Sequence, residues 1–105
     1  MNVSKKDWKL YRERIGEWQE AYMERLIKGY TELLNGPKHA SEKFWELKKR
    51  IDTDRKSPGV IIELNKGDMI YDIACMIRLG IITVSDLDGF SDAMKEDVTF
   101  FLNRF

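Results

Sequence analysis

The chain holds few of the groups that chemistry needs. It has one cysteine, Cys75, and one histidine, His39. A lone cysteine excludes an internal disulfide, and this pair cannot hold zinc without carboxylate help. There is no glycine-rich phosphate loop, no Gly-x-Ser-x-Gly elbow and no His-Glu-x-x-His pair. No apolar run approaches the roughly 18 residues of a membrane span. The opening "MNVSKKDWKL" lacks the apolar stretch of a signal peptide. Net charge is absent too, with 18 Lys+Arg against 18 Asp+Glu, so no overall field draws the chain onto nucleic acid or an anionic membrane. These absences predict a non-enzymatic cytoplasmic protein without metal or cofactor.

Proline is also scarce. Pro37 and Pro58 are the only two, and each sits where a helix can stop, which leaves long helices free to form between them. What is abundant is charge, at 34% of residues, above the usual quarter, beside 43% hydrophobic residues. A chain of 105 residues with that composition makes one domain, residues 1–105, with a core of its own. The charge is uneven along it: +1 over residues 1–35, +3 over 36–57 and −4 over 58–105.

Hydrophobic spacing gives the elements. Trp8, Tyr11, Ile15, Trp18, Tyr22, Leu26, Tyr30 and Leu33 recur every three or four residues, which is one stripe of a helix. Ser4 suits its N-cap and Asn35–Pro37 its end. Unbroken, ~30 residues at ~1.5 Å each would span ~45 Å, against a radius of gyration of ~13 Å for a compact domain of this size. Either Gly16 or Gly29 breaks the helix, or part of it projects and packs on another chain; the second is the expectation. A second helix runs from about Ser41 to Arg55, with Phe44, Leu47, Lys48 and Ile51 on a narrow apolar edge and Trp45 beside it. The third segment, about Val60–Leu79, is the most apolar and reads as a buried helix from about Asp68, while Val60–Leu64 fits a helix or a short strand. Cys75 within it reads as a small buried hydrophobe. Gly80 suits a C-cap and Thr83 with Asp86 a capping box. Ser91 suits the cap of a last helix marked by Phe90, Met94, Val98, Phe101 and Phe105. The fold predicted is all-α: a small helical bundle with a long N-terminal helix.

"TVSDLDGFSDAMKED", residues 83–97, invites comparison with a calcium loop. With Gly89 at position 6 of an EF-hand, position 1 is Val84 and position 12 is Lys95; starting at Asp86 puts Phe90 at position 5. Both registers fail, and the carboxylates read as helix-start groups.

Two surfaces remain for function. Trp8, Tyr11, Trp18 and Tyr22, flanked by Arg12, Arg14 and Arg25, have the residue types favoured at interface centres. They predict a self-associating interaction module, a homodimer through the first helix, in which Trp18→Ala weakens association. The competing reading packs the same stripe on the chain's own core. The second surface is basic: Lys48, Lys49, Arg50, Arg55 and Lys56, with Trp45 near, could contact phosphates and stack a base. Asp52 and Asp54 interrupt it.

At "YRERIGEWQEAYMERL", "KFWELKKRI", "SPGVI" and "ITVSDLDGFSD" the chain resembles a family of small uncharacterised bacterial proteins, some automatically labelled "multidrug transporter". That label conflicts with the missing membrane span. The resemblance implies a bacterial cytoplasmic helical protein and carries over no catalytic or binding residue.

Overall fold

A computed structural model describes residues 2–104. Four helices follow in order: α1 (Lys5–Asn35), α2 (Ala40–Asp54), α3 (Met69–Arg78) and α4 (Asp92–Arg104). Single 3-10 turns stand at Lys66–Asp68, before α3, and at Val84–Leu87, between α3 and α4. The fold is all-α, as the spacing predicts, and none of the helices among the described residues is long and apolar enough to cross a membrane. Phe105, the last position of the expected α4 stripe, lies outside the described residues.

α1 is the spine of the molecule. It runs unbroken for 31 residues, and Gly16 and Gly29 interrupt nothing. Ser4 Oγ accepts the Asp7 N–H at the start, and Gly36 turns to extended backbone ahead of Pro37 at the end. A helix of that length outruns any core that 105 residues can build. The radius of gyration is accordingly 16.5 Å, with extents of 51 × 27 × 22 Å.

The core gathers on the N-terminal half of α1. Tyr11, Ile15 and Trp18 meet Met69, Ile70, Ile73, Ala74 and Met76 of α3, Ile81, Ile82, Leu87 and Phe90 of the following loop, and Met94 and Val98 of α4. α2 adds no buried residue to it. The C-terminal half of α1 pairs instead with α2 across the turn at residues 36–39, and this hairpin stands out from the core. The base of the hairpin is closed by the turn after α2: Gln19 donates to the Pro58 carbonyl at 3.0 Å, and Gly59 lies flat against the Tyr22 ring, where an added Cβ would come within 2.3 Å of a ring carbon.

Val60–Leu64, open to helix or strand in the sequence, is neither. Val60 and Ile61 donate their N–H groups to the Ser57 carbonyl in a turn, and residues 61–65 have no regular structure, with Ile62 against the core and Ile61 and Leu64 exposed. α3 then ends on a Schellman motif. Gly80 takes φ +73°, Ile81 N–H donates to the Met76 carbonyl and Gly80 N–H to that of Ile77.

One core group is unsatisfied. The Tyr11 ring is wholly buried and its hydroxyl has no hydrogen-bond partner among the described residues. Burial, and then the charge of Asp72, push the phenol well above its ordinary value. A buried hydroxyl left unpaired costs about 1–3 kcal/mol. Tyr11→Phe is therefore expected to raise the urea midpoint, by the equivalent of about 1 kcal/mol; a lower midpoint would mean that the hydroxyl has a partner.

Candidate functional site

The aromatic stripe does not form a free surface. Tyr11 and Trp18 are core residues, with ring centroids 6.1 Å apart and Trp18 6.3 Å from Phe90. Trp8 and Tyr22 are half-buried, Trp8 against Tyr11 at 5.9 Å and Tyr22 over Gly59. Of the four residues expected at an interface, Tyr11 and Trp18 are thus spent on the chain's own core beneath α3 and α4, and only Trp8 and Tyr22 keep exposed surface.

The arginines beside the stripe are also engaged within the chain. Arg14 donates to the Asp86 carbonyl at 3.1 Å and to that of Asp88, and its guanidinium lies 5.3 Å from the Phe90 ring centre. Arg25, three turns on, donates to the carbonyls of Gly80 and Ile81 at 3.0 and 2.8 Å. Two loops that follow α3 are therefore held against α1 by guanidinium groups. The acidic run fits this account: its backbone carbonyls receive Arg14, while the Asp86 carboxylate accepts the Thr83 N–H at 2.7 Å, as a capping box requires. No group of three His, Cys, Asp or Glu that could hold a metal occurs among the described residues. Cys75 is half-buried rather than enclosed, and His39 is exposed at the start of α2, where its side chain makes no cap.

The basic segment occupies the last turns of α2 and the turn beyond. Lys48 lies 2.5 Å from Asp52, whose carboxyl it holds below the ordinary range; Arg55 approaches Asp52 at 3.9 Å. Arg50 meets Glu46 at 3.3 Å and also donates to the Gly29 carbonyl of α1. Of the five cations, only Lys49 and Lys56 have no ion pair among the described residues. Trp45 is exposed, but the Phe44 ring stands edge-on to it at 5.1 Å. Asp52 and Glu46 thus engage three of the five cations, while residues 48–56 keep a net charge of +3.

A different surface emerges on one side of the hairpin. On α1 it comprises Met23, Leu26, Ile27, Tyr30 and Leu34, at helical spacing; on α2 it comprises Phe44, Leu47 and Ile51. Two grooves that share Ile51 mark it, the first between the helices and the second along α2. One of about 210 Å³ is lined by Met23, Leu26, Tyr30, Ile51, Asp54, Arg55 and Val60. The other, of about 260 Å³, is lined by Phe44, Leu47, Lys48, Ile51 and Asp52. Phe44 is 64% exposed, Ile27 59% and Ile51 42%, values that belong to an uncovered face. Beside the Arg50–Gly29 bond, a second polar contact crosses the seam: the Tyr30 hydroxyl donates to Asp54, and burial, then that bond, push the phenol up to about 12. Helical spacing in the sequence marks the α2 edge and, on α1, Leu26 and Tyr30, but not Met23, Ile27 or Leu34. Ile27 and Leu34 fall one position outside the stripe that packs inward, so a single-stripe reading passes over them.

Comparison of the chain with family models, with curated proteins and with solved structures gives no match.

Proposed function

We propose that this protein is a non-enzymatic protein-interaction module whose working surface is the projecting α1–α2 hairpin. One observation carries the reading. α2 is a helix of 15 residues that buries none of them, yet it presents Phe44, Trp45 and Ile51 to solvent. A helix gains most of its stability from packing an apolar face. Contiguous exposed apolar surface of this kind marks interaction sites. The sequence points to self-association through the first helix; the surface supporting it lies on that helix's C-terminal half and on α2, not on the N-terminal aromatic stripe. The nucleic-acid alternative on Lys48–Lys56 draws no support from the geometry, because Asp52 and Glu46 already engage three of its cations.

The reading is tested by retaining proteins from the source cell's lysate on wild-type chain and on Phe44→Glu/Ile51→Glu. Nuclease treatment should leave the retained protein in place, and the double variant should lose it. Identical retention by both baits would overturn the reading. Both substituted side chains are exposed, so helical content should not change.

A further inference from the structure

We infer that the occupant of the hairpin face is a second copy of this chain, laid antiparallel across a two-fold axis to give a four-helix bundle. The inference rests on the interaction-module reading and adds the identity of the partner.

Three observations favour a second copy. The first is area. An exposed aromatic side chain of Phe44's size offers roughly 130 Å², and an exposed aliphatic one roughly 60 Å². Phe44, Ile27, Leu34 and Ile51, with the half-buried Met23, Leu26, Tyr30 and Leu47 between them, then present apolar surface on the order of 400 Å². A stable dimer buries about 800 Å² per partner, of which roughly 60% is apolar. The face is of the size that one copy needs from another.

The second is shape. A two-fold interface presents the same patch twice, so a knob on it must find a hole on it. The hairpin has both, at opposite ends. Phe44 projects beside the 36–39 turn, while the groove of about 210 Å³ between Tyr30, Ile51 and Val60 lies at the base. Antiparallel placement brings the Phe44 of each copy to the groove of the other.

The third is charge. The grooves of the face are lined by two cations, Lys48 and Arg55, and two carboxylates, Asp52 and Asp54, with Lys48 and Asp52 paired at 2.5 Å, so the face is locally balanced although residues 36–57 carry +3. Two copies meet there without the like-charge repulsion that opposes self-association of a charged face.

The test uses the purified chain alone. Light scattering is expected to give twice the 12.4 kDa chain mass at micromolar to millimolar concentration. Phe44→Glu/Ile51→Glu should weaken association by at least roughly 100-fold, with the circular dichroism spectrum unchanged. In a Cys75→Ser background, chains carrying Phe44→Cys and chains carrying Val60→Cys should cross-link when mixed. A monomer at every concentration overturns the inference, as does a dimer indifferent to the double substitution. A monomer whose hairpin still retains a different protein from lysate overturns the second copy while leaving the module reading intact.

Discussion

Trp18→Ala is expected to cost about 3–5 kcal/mol of folding stability, the range for removing a buried tryptophan from a core. The ring is 9% exposed and lies between Tyr11 and Phe90, so truncation empties the contact between α1 and the loop that leads into α4. Against the 5–15 kcal/mol that holds a domain of this size together, that is a large share. It corresponds to a fall in melting temperature of roughly 15–30 °C. The residue's sequence context suggests a different outcome, a stable chain that self-associates more weakly. Thermal unfolding and light scattering on the same sample separate the two. A loss below about 1 kcal/mol with a changed mass would place Trp18 at an interface after all. The expected result is a much weaker fold, with the folded fraction keeping the wild-type mass.

The contrast between Trp18 and Phe44 shows where the sequence was legible. Helical spacing locates α1 from Trp8 to Leu33, and the range Ser41–Arg55 read between Pro37 and Pro58 falls within a residue of Ala40–Asp54 at each end, because periodicity and proline act locally. Gly80 and Thr83–Asp86 were legible for the same reason: a left-handed turn and a capping box are properties of a few consecutive residues. Spacing does not say what covers a stripe. The stripe from Trp8 to Leu33 is one line in the sequence and two environments in the fold, core under α3 and α4 in its first half and a seam with α2 in its second. The Val60–Leu64 segment was ambiguous because its β-branched residues favour extension, while only tertiary structure supplies or withholds a strand partner. None is present among the described residues. Gly59 carried no local signal at all. Its need for a bare Cα comes from the Tyr22 ring, 37 positions away in the sequence.

Asp7 is the furthest case, and its removal is the second large effect expected. It is the buried charged residue of the core margin, at 3% exposure, and its carboxylate receives the Ser91 N–H at 2.9 Å and the Ser91 hydroxyl at 2.6 Å. Ser91 Oγ in turn accepts the Met94 N–H at the start of α4. One carboxylate thus ties the first turn of α1 to the first turn of α4, and no local pattern announces a partner 84 residues away. Burial alone would raise this carboxyl. Hydrogen bonds from the side chain and backbone of Ser91 and from Ser4, with the charge of Lys6, more than offset it and hold the group below its ordinary 3.8. A carboxyl whose folded value is depressed stabilises the fold fully above the unfolded value, and that contribution is lost as pH falls below 3.8 through the folded value. Asp7→Ala removes two bonds to a charged acceptor and leaves the Ser91 N–H without it, a cost of about 3 kcal/mol at neutral pH. Asp7→Asn should cost less, since the amide oxygen still accepts. Urea midpoints at neutral pH and at steps down through the acid range provide the check. The gap between wild type and Asp7→Asn should be widest at neutral pH and close as the wild-type carboxyl takes up its proton. A gap that stays constant into acid would show that Asp7 acts through shape rather than charge.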